Sequence, residues 1–204
     1  ALLKAGDHIV TSQYLFGNTA SLFQTFERHG IEVSFVDATE VAHVEKALRP
    51  NTKMVFTETI ANPRTQIADL AGIGALCAKR SLLYVVDNTI TTPFLFQPAS
   101  AGAHLVINSL TKYIGGHGNA LGGAITDLGS FDWERFDNIL ELYRVGNPAQ
   151  WGINQIKKKG LRDFGASMAP DAAHRLSVGA DTLALRMARC CESADRIAQF
   201  LAGH

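Results

Sequence analysis

Cysteine is scarce. The 204 residues hold three, Cys77, Cys190 and Cys191, an odd number with no C-x-x-C pair. That excludes a disulfide scaffold and points to a reducing, cytoplasmic setting. An excess of charge of either sign is missing too. Lys plus Arg and Asp plus Glu balance at 19 each, so no overall field draws nucleic acid or an anionic membrane surface, and neither is an expected partner. No apolar run approaches the about 20 residues of a membrane helix, and no basic-then-apolar signal opens the chain. Nucleotide signatures are absent as well: Gly116-His117-Gly118 lacks the third glycine of G-x-G-x-x-G, and no G-x-x-x-x-G-K-[ST] occurs. Without a G-x-S-x-G elbow the simplest serine hydrolase is removed. His117 has no partner at metal-ligand spacing and reads as a turn or pocket-wall residue. Adjacent Cys190 and Cys191 would project about 100° apart on a helix, so no metal is expected.

What the chain does have is alternation. Short apolar runs at Ile9–Thr11, Val33–Val36, Lys53–Thr57, Leu82–Val86, Leu105–Asn108 and Gly123–Thr126 read as strands, with helical patterns between them. Val41, Val44 and Leu48 stand at helical spacing before Pro50, and Leu70, Ile73 and Cys77 repeat it. This is the pattern of an α/β fold, a mostly parallel sheet with helices on both faces, in one domain over 1–204. Past the last strand, Phe131–Tyr143 is expected as a helix, followed by a less regular stretch over Arg144–Met168. A final helix is expected to begin near Asp181 or Thr182. It would place Leu183, Met187, Cys190 or Cys191, Ala194, Ile197 and Leu201 on one buried face.

Two clusters could carry chemistry. The run Leu82-Leu83-Tyr84-Val85-Val86 reads as a strand buried on both faces, and it ends abruptly in Asp87-Asn88. Ligands of open α/β sheets sit at the carboxyl ends of strands, so Asp87 would reach a pocket; a turn or helix cap is the alternative. The second cluster is Asn108-Ser109-Leu110-Thr111-Lys112-Tyr113, directly after an apolar strand and before the turn Gly115-Gly116-His117-Gly118. In an extended chain Ser109 and Thr111 point one way and Lys112 the other, so the hydroxyls could hold a phosphate while the amine addresses another part of the ligand. A merely solvated lysine is the alternative there.

These segments, with Ser12-Gln13-Tyr14-Leu15-Phe16-Gly17-Asn18-Thr19, Glu58-Thr59-Ile60-Ala61-Asn62-Pro63, Thr92-Pro93 and Asp181-Thr182-Leu183, stand in one order along the chain. In that order the sequence resembles the Cys/Met-metabolism (trans-sulfuration) group of pyridoxal-phosphate enzymes. The resemblance implies the large domain of fold-type I enzymes and pyridoxal 5′-phosphate as cofactor. Lys112 would be the imine-forming lysine, Ser109 and Thr111 would bind the phosphate, and Asp87 would pair with the ring nitrogen. Tyr14 would stack on the ring and serve as an acid or base, and Asn62 would line the site near the ring hydroxyl or the substrate. Lys112 would need partial desolvation or nearby positive charge to offer a neutral amine.

The substrate would be a small amino acid, the assembly a homotetramer built as a dimer of dimers, and the setting cytoplasmic. The turn Gly115-Gly116-His117-Gly118 and the segment Gly129-Ser130-Phe131-Asp132-Trp133 resemble the acyl-homoserine sulfhydrylases. That implies γ-replacement on an O-acyl-L-homoserine by sulfide to give homocysteine. A cystathionine or methionine γ-lyase, a cystathionine γ-synthase and a truncated, non-catalytic subunit are the alternatives. The resemblance also implies an N-terminal arm and a C-terminal small domain outside these 204 residues.

Overall fold

A computed structural model describes residues 1–204. All six expected strands form, each within a residue or two of its expected bounds: β1 (His8–Ser12), β2 (Glu32–Val36), β3 (Thr52–Glu58), β4 (Leu83–Asp87), β5 (Leu105–Ser109) and β6 (Gly123–Asp127). They make one sheet in the order β2-β1-β3-β4-β5-β6. Neighbours run parallel throughout except β6, which returns antiparallel to β5. Parallel neighbours require crossovers, which helices α1 (Gly17–Glu27), α2 (Val41–Ala47) and α3 (Leu70–Arg80) supply, while β4 reaches β5 through a single helical turn, Thr92–Leu95, and a 3₁₀ turn, Pro98–Ala101.

Because strand side chains alternate, consecutive residues feed two cores. Ile9, Phe56, Leu83 and Val85 face one layer with Phe23 of α1. Val10, Val55, Tyr84 and Val86 face the other with Val44 of α2 and Ile73, Leu76 and Cys77 of α3. The sheet is therefore covered on both faces, and its central strands read as unbroken apolar runs for that reason. No helix is long and apolar enough to cross a membrane.

Three expectations fail, each for a tertiary reason. Phe131–Tyr143 is not a helix but two single 3₁₀ turns, Trp133–Arg135 and Glu141–Tyr143. Its aromatic residues, with Phe131, Trp133, Phe136 and Tyr143 buried, roof the first core directly. Its carbonyls are satisfied by a side chain: the Arg144 guanidinium donates to the carbonyls of Glu134 (3.2 Å), Phe136 (2.9 Å) and Ile139 (3.2 Å). In the stretch expected to be irregular, Trp151–Gln155 forms a short helix, α4, that continues into a π-helical run over Ile156–Asp163.

Helix α5 (Pro170–Ala180), which no periodicity announced, precedes the final helix α6 (Leu183–Ala202). Thr182 does stand at the N-cap of α6, yet its hydroxyl donates back to the Gly179 carbonyl instead of capping (3.2 Å). The expected apolar face of α6 is buried only at Met187. Cys190, Cys191, Ala194, Ile197 and Leu201 are exposed, because only the first turns of the helix pack on the body.

His8 shows how polar groups are accommodated at the other end of the sheet. It is fully buried, with Nδ1 2.7 Å from Thr52 Oγ1 and Nε2 2.9 Å from Ser34 Oγ, tying β1 to β3 and β2. Burial, helped by the nearby Arg49 charge, pulls its pKa below the ordinary 6.5. Between the two values the unfolded chain binds more protons than the folded one, so this contribution is complete above about pH 6.5 and shrinks as pH falls below it. Urea unfolding at pH 7 and pH 5 should show wild type losing more stability on acidification than a His8→Asn variant. Equal losses would remove His8 as the source.

Candidate active site

The carboxyl ends of β3, β4 and β5 open on a cavity of about 910 Å³. Strand register explains which acids reach it. Glu58 and Asp87, the last residues of β3 and β4, are paired across the sheet. Two residues on from Phe56 and Val85, they leave the same face. Asp87 Oδ1 accepts the Thr89 N–H (2.9 Å), while Oδ2 has no partner in the chain. Burial raises the Asp87 pKa against the opposing Thr89 hydrogen bonds. The neighbouring Asn88 is structural: it is fully buried, its Nδ2 donates to Phe96 O (2.9 Å), and its own carbonyl accepts Asn108 Nδ2 (2.9 Å). Thr89 Oγ1 accepts the Ser109 N–H (2.8 Å), which pins the end of β4 to the end of β5.

After β5 the chain makes a tight π-helical turn, Leu110–Ile114, that leaves helical geometry at Lys112 (φ −88°, ψ −123°). Lys112 lines the cavity with Ser109, Asp87 and Asn62. Its Nζ makes no hydrogen bond or ion pair within the chain, and the Ser109 hydroxyl is likewise unengaged. Lys112 is exposed, not partly desolvated; the positive neighbours sharing its cavity are Arg186 and Arg189 of α6.

Two expected residues do not join them. The Tyr14 hydroxyl donates to Asp37 Oδ2 (3.0 Å), and the ring lines a separate small depression with Pro63 and Arg64. The aromatic residues that line the main cavity are Phe16, two residues further on, and Tyr113, next to Lys112. Strand β1 ends at Ser12, and the chain must turn into α1 before an aromatic ring can meet the strand ends. Phe16 carries no hydroxyl and so offers no acid or base. Thr111 also turns away. Its hydroxyl donates to the Gly122 carbonyl (3.2 Å) and accepts the Gly122 N–H (3.0 Å), so it braces the turn against the approach to β6. The extended-chain picture that aligned it with Ser109 fails because the backbone coils at Leu110. His117 is a turn residue, its Nδ1 2.6 Å from Gly115 O.

The sequence reading misses one acid of the site. Glu58 is buried, and its Oε1 accepts the Phe16 N–H (2.8 Å) at the start of α1. Burial lifts its pKa to about 7, the Phe16 hydrogen bond opposing and the Asp87 charge reinforcing the shift. The criterion that singled out Asp87, an acid ending an apolar strand at its carboxyl end, applies equally to Glu58.

The donor set suits a flat, anionic, nitrogen-containing aldehyde cofactor such as pyridoxal phosphate. It comprises a free amine, a carboxylate with one unpartnered oxygen, a free hydroxyl and an aromatic wall around one cavity of ordinary ligand size. The family model for Cys/Met metabolism PLP-dependent enzymes matches residues 1–204. The O-acetyl-L-homoserine sulfhydrylase of Leptospira meyeri is 35% identical, across all of this chain and 50% of its own length. The L-methionine gamma-lyase of Porphyromonas gingivalis is 37% identical, across 99% of this chain and 46% of its own. A crystal structure from Campylobacter jejuni, of a protein assigned as an O-acetylhomoserine (thiol)-lyase, superposes with a TM-score of 0.90 at 33% identity. It covers all of this chain and 53% of that one, and it contains N′-pyridoxyl-lysine-5′-monophosphate. The chain spans about half the length of the curated relatives it matches.

Proposed function

The chain belongs to the Cys/Met metabolism PLP-dependent enzyme family, and from that membership we propose that it serves γ-replacement on an O-acyl-L-homoserine: the γ C–O bond breaks, the acyl group leaves as its carboxylate, and sulfide adds at the γ carbon to give homocysteine. The observation that carries the chemistry is the convergence of Lys112, Asp87 and Ser109 on one cavity at the strand ends.

When bound, pyridoxal phosphate supplies an electron-withdrawing ring that takes up the electron pair left as a proton departs the substrate α carbon. Lys112 would hold the cofactor through its amine and would move that proton as general base. Asp87 would present its carboxylate to the ring nitrogen and keep it protonated. Ser109 would offer its hydroxyl to the phosphate, and Phe16 would wall the ring. Asn62 lines the side where a ring hydroxyl or the substrate is read. The homotetramer implied by the resemblance belongs to the same proposal.

Support for sulfide transfer over elimination comes from the likeness to the Campylobacter jejuni structure and from the Gly115-Gly116-His117-Gly118 turn, which resembles the sulfhydrylases. The γ-lyase relative, of similar identity, keeps γ-elimination as the second reading. Both begin with the same proton removal and diverge only in what reaches the γ carbon. The protein expressed from its complete reading frame and loaded with pyridoxal phosphate should convert O-acetyl-L-homoserine and sulfide to homocysteine. Its kcat/KM should exceed that for 2-oxobutyrate release from methionine or cystathionine by at least about tenfold. 2-Oxobutyrate as the main product, with no homocysteine, would overturn the replacement reading in favour of elimination.

A further inference from the structure

Lys112 stands on a turn with no helix following it, so the carbonyls at the end of that turn need donors from elsewhere. They find them on a side chain more than 70 residues away. Arg186, on the first turn of α6, donates from Nη1 to the Tyr113 carbonyl (2.5 Å) and from Nη2 to the Ile114 carbonyl (3.0 Å). The same Nη2 also reaches the Gly179 carbonyl at the end of α5 (2.7 Å), and Nε donates to Thr182 Oγ1 (2.9 Å). Four of the five guanidinium hydrogens are thereby used, all on backbone or hydroxyl oxygens held at fixed angles.

The neighbourhood is close-packed around this grip. A Cβ on Gly179 would fall 2.0 Å from the Gly115 carbonyl, so the backbone of α5 lies directly against the turn, and a Cβ on Gly116 would stand 2.3 Å from Arg186 Nη1. Arg186 also lines the cavity that Lys112 and Asp87 share.

We propose that Arg186 is a positioning residue for Lys112: by holding the carbonyls of the two residues that follow the lysine, it makes α6 set where the amine stands in the cavity. The inference rests on the proposed role of Lys112. A planar fork is what the geometry demands. A lysine at position 186 would keep the charge but reach one carbonyl at a time, leaving the others unpaired and the turn free to shift. A shift of about 1 Å at a reacting group costs up to about 100-fold in rate.

The test uses the complete protein with pyridoxal phosphate and compares wild type, R186K and R186A. The first readout, independent of turnover, is the rate at which the visible band of the lysine-linked cofactor appears when apoprotein is mixed with pyridoxal phosphate. R186K should slow it by about 10- to 100-fold and lower kcat in step, with KM within a few-fold of wild type. Free guanidinium at low millimolar concentration should restore part of the linkage rate in R186A and none in R186K. R186K with the wild-type linkage rate and kcat, whatever its thermal midpoint, would reduce Arg186 to a structural tie and overturn the proposal. Should R186A fail to fold, R186K decides alone. A wild-type protein that develops no band at all would instead refute the cofactor role of Lys112, so the two failures are distinguishable.

Discussion

Replacing Lys112 by Ala is expected to abolish the visible band of protein purified with pyridoxal phosphate and to lower turnover by about 10⁴-fold or more, the upper end of what one positioned acid–base group contributes. The size of the effect follows from two losses at one atom. The Lys112 amine makes no contact within the chain that would be left unsatisfied, and it shares its cavity with Asp87 and Ser109. Its removal should therefore leave the fold intact while taking away, on the proposed role, both the covalent hold on the cofactor and the base at the α carbon. Arg186 and Arg189, the other cations lining the cavity, cannot substitute, because a guanidinium stays protonated and is a poor nucleophile. The check is an absorption spectrum beside a steady-state assay, with far-UV circular dichroism to establish folding. A folded K112A protein that kept the band would place the linkage on another lysine and dissolve the site described here.

Asp87→Asn should behave differently, retaining the cofactor and losing about 100- to 1000-fold in kcat, the range for deleting one preorganised electrostatic contact. Asparagine is nearly isosteric, and its amide oxygen can still accept the Thr89 N–H that holds Asp87 Oδ1 at 2.9 Å. The strand end should keep its shape, and Lys112 still holds the cofactor. On the proposed role, what disappears is the negative charge that would keep the ring nitrogen protonated, and with it the ring's ability to accept an electron pair. The local cost of that charge is visible in the raised pKa of Asp87 and in Glu58 at about 7 beside it, two carboxylates that burial makes reluctant to ionise together. A protonated ring nitrogen relieves that reluctance. Cofactor dissociation constants and kcat, measured separately, make the check. A variant within a few-fold of wild type in kcat would show that Asp87 does not govern the ring.

Much of this protein is legible in its sequence. The strands could be read because a sheet buried on both faces leaves no room for polar residues, so Leu83-Tyr84-Val85-Val86 declares itself by composition. Asp87 could be read because it ends such a run where the sheet ends, and Lys112 because the segment that holds it resembles the family's lysine motif. The same rule picks out Glu58 at the end of β3. Phe131–Tyr143 could not be read. Its apolar spacing suits a helix, but its rings are held as a roof over the sheet while Arg144 satisfies its carbonyls, and neither fact has a local signature. The buried stripe assigned to α6 failed in the opposite sense: amphipathic periodicity shows which residues share a face, not whether anything covers that face.

The division at the site follows the same physics. Local sequence determined the six strands, their mostly parallel sheet and the acid at the end of β4 that reaches the cavity, because backbone hydrogen bonding and alternation act over a few residues. The tertiary structure alone decided that Phe16 and not Tyr14 walls the cavity, that Thr111 spends its hydroxyl on Gly122, and that Arg186 closes over the turn of Lys112. Each depends on where a turn aims a side chain. A coil of one residue more or less at Ser12 or Leu110 redirects everything after it, and only packing against distant segments selects among those directions.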